Sequence, residues 1–526
     1  MTENNERILP VGIQSFKRIR EEGYLYVDKT DKIWKLANKN KVYNYLSRPR
    51  RFGKSVLVDT LQAYFEGKKE LFEGLKIMDL EKNWTAYPVI RLDMSNGSDN
   101  AVELRSYLDQ IFKKYEEKYQ VEVDASASLT VRFSNIIETA YEVTGQKVVI
   151  LIDEYDSPLQ HSWKTPEHEG CTKVYRSVFA VLKTLDYKER FVFITGITKF
   201  TQISLFSVLN NLTNISFDGP YADICGISKQ ELIDNFMPEI EQMGKANDWS
   251  TEETIAQLKA YYDGYHFSRH NMVDVFNPFS LINALADGEL RNYWASSGAT
   301  SLLPKFVDDM ELRLKDFDNC SLISTVIETS DVTGGGAELF LYQSGYLTIK
   351  SYMKGLYLLG IPNHEVRQAL NETVLPALAM RKNGEIQSTQ GALYMHMMLG
   401  NLDEAKKYLK ALVADVPYSN KKLASMHMEE RYRLIMSTIF NAIGFGVEVE
   451  KMIATGRIDM VVGTPDIIYV MELKLSNNGG IAAAEKQILA NNYTEPFKAD
   501  KRKVIALAVE LDDMGKGLLD WKEVKE

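Results

Sequence analysis

Cysteine is scarce: the 526 residues hold three, Cys171, Cys225 and Cys320, far apart and without a CxxC pair. That excludes a disulfide framework and a cysteine-rich zinc site, and it fits a reducing compartment. No apolar run approaches the roughly 18 residues that a bilayer-spanning helix needs. The first ten residues, MTENNERILP, are polar and lack a signal-peptide core. A cytoplasmic protein with no membrane partner is the expectation. A surplus of positive charge is also missing, since 62 Lys+Arg stand against 72 Asp+Glu, a formal −10. This excludes a globally basic nucleic-acid coat, and any phosphate binding has to come from local patches. Fixed-period repeats and low-complexity linkers are absent too. What is there is ordinary globular composition, 45% hydrophobic and 25% charged, in a length that suits two to four domains.

Three regions follow one another in an α/β chain. Residues 1–225 alternate short apolar runs with helical stretches, the pattern of a parallel sheet covered on both faces. Val42–Leu46, Val148–Ile152 and Phe191–Ile194 read as its buried strands. Residues 226–420 turn mostly helical, with helices over Lys229–Met237, Thr251–Tyr262 and Leu402–Val413. Inside that region Thr333–Gly336, Leu339–Leu341 and Tyr346–Ile349 predict a small strand element. Residues 421–526 read helix, strand, strand, helix, strand, a small α/β domain.

The first constellation of chemical interest is Ser47-Arg48-Pro49-Arg50-Arg51-Phe52-Gly53-Lys54-Ser55, between a strand and a helix predicted over Val56–Phe65. A loop in that position turns unpaired backbone N–H groups and the positive end of a helix dipole toward phosphate. Gly53 lets the backbone come close, Lys54 reaches phosphate oxygens, and the Ser55 hydroxyl suits Mg²⁺. Arg48 stands where a P-loop has its first glycine. Ninety-eight residues after Ser55, the strand Val148–Ile152 runs into Asp153 and Glu154. An acid at the C-terminal end of a parallel strand points into the crevice where ligands bind. Asp153 suits Mg²⁺ through water and Glu154 suits the attacking water; capping of the next helix is the plain alternative. Thr195 and Thr198 end the next strand, as γ-phosphate sensors or as turn residues. Residues 1–60 carry 13 Lys+Arg against 7 Asp+Glu. Arg48, Arg50 and Arg51 fit an arginine finger, a contact with a second subunit or nucleic acid, or a solvated basic turn. ATP and Mg²⁺ are the cofactors these residues call for, with Arg48, Arg51, Gly53, Lys54, Ser55, Asp153 and Thr195 as the nucleotide set.

The second constellation lies in the tail. Arg457–Val462 is a short strand, Gly463–Asp466 is turn chemistry, and Ile467–Lys474 is a second strand. Alternation puts Glu472 and Lys474 on one face, and the hairpin brings Asp459 beside them. Two carboxylates suit a hard divalent cation, with Lys474 placed to hold a nucleophilic water or developing charge. Glu429, Glu430 and Glu450 are candidates to extend the metal shell, and Gln487 and Tyr493 to support it. A salt-bridged edge strand is the plain alternative. Residues 421–526 hold 15 Lys+Arg and 16 Asp+Glu, so strong sequence-independent affinity for nucleic acid is not expected.

Taken in order, several segments resemble a bacterial family of AAA-ATPase-like proteins with a C-terminal nuclease domain of the PD-(D/E)XK superfamily. They are Leu9–Phe16, Tyr26–Thr30, Arg48–Ser55, Leu151–Asp156, Tyr262–Phe267, Asn277–Phe279, Gly456–Asp459 and Glu472–Lys474. The resemblance implies a P-loop ATPase sheet, a helical or winged-helix-like region behind it, and a restriction-endonuclease-like C-terminal fold. It makes an arginine at position 48 the family's norm. Relatives often carry a histidine after an aromatic in the first nuclease helix, whereas Arg433 follows Tyr432 here. The combined reading is an ATPase, with Glu154 as base, coupled to a nuclease that uses Asp459, Glu472 and Lys474. Its partners are nucleic acid, DNA ahead of RNA, and a second copy of the chain if an arginine acts in trans. The rival is a nucleotide-dependent switch whose nuclease fold only binds. Tyr26–Thr30 and Tyr262–Phe267 carry no chemistry that residue type alone discloses.

Overall fold

The computed structural model describes residues 8–39, 41–96, 99–122, 124, 126–198, 212–299, 320–329, 336–379, 383–414 and 427–525. The chain splits into two compact units, residues 1–294 with 319–363, and residues 295–318 with 364–526. Residues 226–420 contribute to both.

The first unit is built on a parallel sheet of β1 (Tyr43–Ser47), β2 (Val89–Asp93), β3 (Val148–Asp153), β4 (Glu189–Gly196) and β5 (Thr213–Asn214), in the order β2-β3-β4-β1-β5. Every residue of β3 is buried, as expected of a central strand with both faces covered. The three strands expected from the sequence are present, each a residue or more longer at its C-terminal end. β2 was not foreseen, because Arg91 interrupts its short apolar run Val-Ile-Arg-Leu-Asp. Two covering helices, Ala101–Tyr119 and Leu129–Thr144, start on side-chain caps from Asn100 and Ser128. They stack Phe112 on Phe133 at 5.2 Å.

Further along the first unit, Lys229–Ala246 and Thr251–Tyr262 each begin with a capping box, Ser228 with Glu231 and Ser250 with Glu253. They enclose a core of Leu232, Phe236, Ile240, Leu258 and Tyr262 beside β6 (Ile227–Ser228) and β7 (Val275–Phe276). The strand element expected further on is real but shifted. Antiparallel strands β8 (Cys320–Ile323), β9 (Thr348–Met353) and β10 (Leu356–Gly360) form it. Leu339–Leu341 instead lies in the helix Gly336–Ser344, and Thr333–Gly335 lie outside the described residues. All three residues of Leu339–Leu341 are buried, and an apolar run that short does not reveal its period.

In the second unit a mixed sheet runs β11-β12-β13-β14-β15, with strands Gly446–Ile453, Gly456–Gly463, Ile467–Leu475, Lys503–Leu511 and Leu518–Val524. Only β13 and β14 are parallel. Helix Met428–Ala442 precedes the sheet, and helix Gly480–Asn491 makes the crossover between the parallel pair. The edge strand β15 escaped the sequence reading because it buries only Leu518, Trp521 and Val524, a spacing of three rather than two. No helix among the described residues is long and apolar enough to cross a membrane.

Candidate active sites

In the first unit, β1 hands the chain to a loop whose shape is held from below. Arg48, 1% exposed, turns its guanidinium inward and donates to the carbonyls of Ser47 (2.8 Å), Ser216 (2.9 Å) and Tyr221 (2.9 Å). The Phe267 ring lies 4.1 Å from that guanidinium. Arg48 thus gives Nη1 and Nη2 to backbone carbonyls that burial would otherwise leave unpaired, while its buried Nε has no hydrogen-bond partner. Phe52 packs edge-on against Tyr265 and Phe267, at 4.7 and 5.3 Å. Gly345 presses its backbone onto Pro49, where a Cβ would lie 2.6 Å from the proline Cβ. Tyr262–Phe267, opaque in the sequence, is therefore packing for this loop. His266 is a bonded histidine, with Nε2 2.7 Å from Asp274 and Nδ1 3.0 Å from the Ile349 carbonyl.

Gly53 then opens helix Lys54–Phe65 with φ +86°, and a Cβ there would meet nothing within 4 Å. Its need for glycine is conformational. Lys54 is 5% exposed and curls back, Nζ donating to the carbonyls of Arg48 (3.0 Å) and Pro49 (2.9 Å). Burial lowers the pKa of its ammonium, against the pull of Glu154 and Asp153. Ser55 follows, hydrogen-bonded to the Asp153 carboxylate. Burial pushes Asp153 up to about 6, with the Ser55 bond opposing and the Glu154 charge adding to the rise. Glu154 sits in the left-handed region at φ +48°, a strained placement for a residue with a Cβ. Arg51 is exposed and its guanidinium lies 4.8 Å from the Phe279 ring.

Thr195, next to last in β4, is fully buried, its Oγ1 without a hydrogen-bond partner. Thr198 belongs to a different device, in which the Asp156 carboxylate accepts from the N–H groups of Ile197 and Thr198 (3.0 and 2.6 Å) and from the Thr198 hydroxyl (2.7 Å). Gly196 is obligatory beneath it, since a Cβ would fall 2.4 Å from Asp156 Oδ1. Sequence reading missed Asp156, and it missed Asp93 and Arg91 on β2. Asp93 pairs in register with Asp153; Arg91 binds Asp59 of the loop helix at 2.7 Å and reaches within 3.8 Å of Asp153. Tyr26–Thr30 contributes braces: Asp28 accepts from the N–H of Thr30 (2.9 Å) and of Lys76 (2.8 Å), while Lys29 pairs with Glu231 at 2.6 Å.

In the second unit, the hairpin of β12 and β13 pairs Met460 with Met471, which sets Asp459 against the start of Glu472-Leu473-Lys474. Asp459 is 7% exposed and its Oδ2 accepts from the Leu473 N–H at 3.0 Å, fixing the carboxylate. Glu472 is 1% exposed; Lys474 Nζ donates to its Oε1 at 2.7 Å, and Oε2 is buried without a partner. Burial first, and the neighbouring Asp459 second, push Glu472 up to about 7. Burial lowers the Lys474 ammonium pKa, but the bond to Glu472 and the acids around it carry it above the ordinary value. Arg433, from helix Met428–Ala442, binds Glu450 at 2.5 Å and comes within 3.7 Å of Asp459. Glu430 is exposed, and Glu429 accepts from Asn478 at 3.4 Å. Gln487 and Tyr493 work one step away: Gln487 donates to the Tyr493 hydroxyl (2.9 Å), which donates to the Arg457 carbonyl (2.8 Å).

The donor sets fit Mg²⁺ at both places. Among the described residues no group of three or more acids, histidines or cysteines is gathered for a metal. Mg²⁺ keeps several waters and needs only one or two carboxylates, so Asp459 with Glu472, or Asp153 with Ser55, suffices. The unpartnered Glu472 Oε2 is the acceptor such an ion would satisfy.

Comparison with known proteins recognises a domain in each part of the chain. Residues 10–206 match the family model described as predicted AAA-ATPase, and residues 427–521 match that of the PD-(D/E)XK nuclease superfamily. A protein of Azotobacter chroococcum mcd 1, named as an uncharacterized protein in the vnfD 5' region, is 30% identical over 519 residues. The match covers 95% of this chain and 96% of that one. The chain belongs to the AAA-ATPase-like family and carries a PD-(D/E)XK nuclease superfamily domain toward its C-terminus.

Proposed function

We propose that the protein is a two-headed enzyme, an ATP-hydrolysing P-loop unit joined to a metal-dependent nuclease that cleaves phosphodiesters in nucleic acid, DNA ahead of RNA. The observation that carries the nuclease half is the buried Asp459–Glu472 pair with one carboxylate oxygen unsatisfied and a lysine bonded to the other. Buried carboxylates with no ligand to stabilise their charge are costly, so their assembly at one point is hard to account for as packing. Bound Mg²⁺ would polarise the phosphate and acidify a water. The chain's own part is to aim the acids: the Leu473 N–H locks Asp459, and Lys474 keeps a proton donor beside Glu472. In the ATPase half, Lys54 and the N–H groups following Gly53 take the phosphates. Ser55 and Asp153 hold Mg²⁺, and Glu154 orients the water. Nucleotide occupancy requires Lys54 to exchange its loop carbonyls for phosphate oxygens.

The test is cleavage of labelled single- and double-stranded DNA and RNA in Mg²⁺ or Mn²⁺, with and without ATP, by wild type, Asp459→Ala and Lys54→Ala. Asp459→Ala abolishes cleavage, and Lys54→Ala abolishes ATP turnover; a change in cleavage by Lys54→Ala demonstrates coupling. Intact ATP hydrolysis with no metal-dependent cleavage by wild type under any condition would leave a nucleotide-dependent switch with a binding module.

A further inference from the structure

Opposite Asp459 the hairpin has an irregularity that the two-carboxylate picture does not use. β11 and β12 pair Val449 with Met460 and Lys451 with Ile458, so Glu450 faces Asp459 directly, yet the ladder is interrupted there. Glu450 occupies the left-handed region at φ +51°. Like charges directly across a sheet repel, and a residue with a Cβ is strained at that φ, so the arrangement needs an external reason. Arg433 supplies part of it. Its Nη1 lies 2.5 Å from Glu450 Oε1 and its Nη2 3.7 Å from Asp459 Oδ1, while Arg457 Nη1 adds a second contact to Glu450 at 3.0 Å. With Lys474 on Glu472, three cations face three carboxylates, a formal sum of zero. Arg433 Nε, however, is buried and has no partner.

The guanidinium is thus anchored at one corner only. Its Nη1 is committed to Glu450, and the opposite edge, Nε with Nη2, carries one unmet donor and one long contact. That edge is the fork by which arginine grips an oxyanion with two parallel hydrogen bonds. A divalent cation on Asp459 would repel the guanidinium from that carboxylate and leave the Glu450 anchor as its pivot.

We propose that Arg433 is a phosphate-binding residue of the cleavage site: it rests against Asp459 while no metal is bound, and offers its Nε–Nη2 edge to the phosphodiester once a divalent cation takes that place. Glu450 is the positioning residue that holds the pivot. The inference rests on the reading of Asp459 and Glu472 as metal ligands, and the experiment separates the two.

Full-length protein is titrated with Mn²⁺, followed by electron paramagnetic resonance, and separately with a 5′-fluorescein oligonucleotide in Ca²⁺ or EDTA, followed by anisotropy. Arg433→Gln binds Mn²⁺ at least as tightly as wild type, because a competing cation is gone, and loses about tenfold or more in Ca²⁺-dependent oligonucleotide affinity. Arg433→Lys keeps wild-type Mn²⁺ affinity but loses the oligonucleotide like Arg433→Gln, since an ammonium has no fork. Should Arg433→Gln fail to fold by circular dichroism, Arg433→Lys, which keeps the charge beside both acids, carries the test. Oligonucleotide affinity in Ca²⁺ within about twofold of wild type for the folded variants overturns the proposal. So does a fall in Mn²⁺ affinity in Arg433→Gln, which would make the guanidinium a mere prop for Asp459. If wild type binds no Mn²⁺, or Asp459→Ala binds as many equivalents of it as wild type does, the reading of the metal site itself fails.

Discussion

Tyr43 has one hydroxyl proton, yet its oxygen lies 2.8 Å from the Leu182 carbonyl and 2.5 Å from Glu189 Oε2. One proton cannot serve both, so with Tyr43 donating to Leu182 the Glu189 carboxyl brings a proton of its own. Burial pushes Glu189 up to about 8 from its ordinary 4.5, with the Asp186 charge adding to the rise. A carboxyl raised in this way holds its proton in the folded chain where the unfolded chain has released it. Its contribution to stability is full below about pH 4.5 and is lost as the pH rises through 8. Wild type therefore loses, relative to Glu189→Gln, on the order of 3 kcal/mol between those limits. Urea unfolding of the two proteins across that range measures the difference. Asp153 and Asp263, both raised to about 6 by burial, act in the same direction and cancel in the comparison.

One element up, the phosphate loop shows what sequence can and cannot disclose. The strand–loop–helix context and the acid-ended β3 were legible because buried parallel strands read as continuous apolar runs and glycine-lysine-serine at a helix start has a mechanical meaning. Asp459, Glu472 and Lys474 were legible for a similar reason: alternation along one hairpin fixes which side chains meet. What stayed hidden came from far away in the chain. Nothing local to Arg48 announces that Ser216, Tyr221 and Phe267 will surround it, nor that β2, broken by Arg91, adds Asp93 beside Asp153. Restoring the glycine of an ordinary P-loop is therefore damaging here. Arg48→Gly strands buried carbonyls and empties the space under Phe267, costing about 2–4 kcal/mol and weakening nucleotide binding. Thermal unfolding together with a fluorescent ATP-analogue titration reads both effects, and a more stable or tighter-binding Arg48→Gly protein would contradict this role for the arginine.

At the scale of the whole molecule, the first unit is discontinuous, taking residues 1–294 and then 319–363. A fragment ending at residue 225 keeps the loop and all five strands of the parallel sheet but discards Tyr265, Phe267 and Gly345. It does not bind the ATP analogue, whereas a fragment ending at Asn363 does; equal binding by both would show that the downstream packing is dispensable. Gly345, the residue laid against Pro49, also sets a schedule for the cell. It is made 291 residues after Lys54, which at about 5–20 residues per second is a delay of roughly 15–60 s on the ribosome. Throughout that interval the lysine and glycine of the loop already exist but their seat does not. A nascent or prematurely terminated chain thus stays unloaded with nucleotide until nearly two-thirds of the protein has been translated.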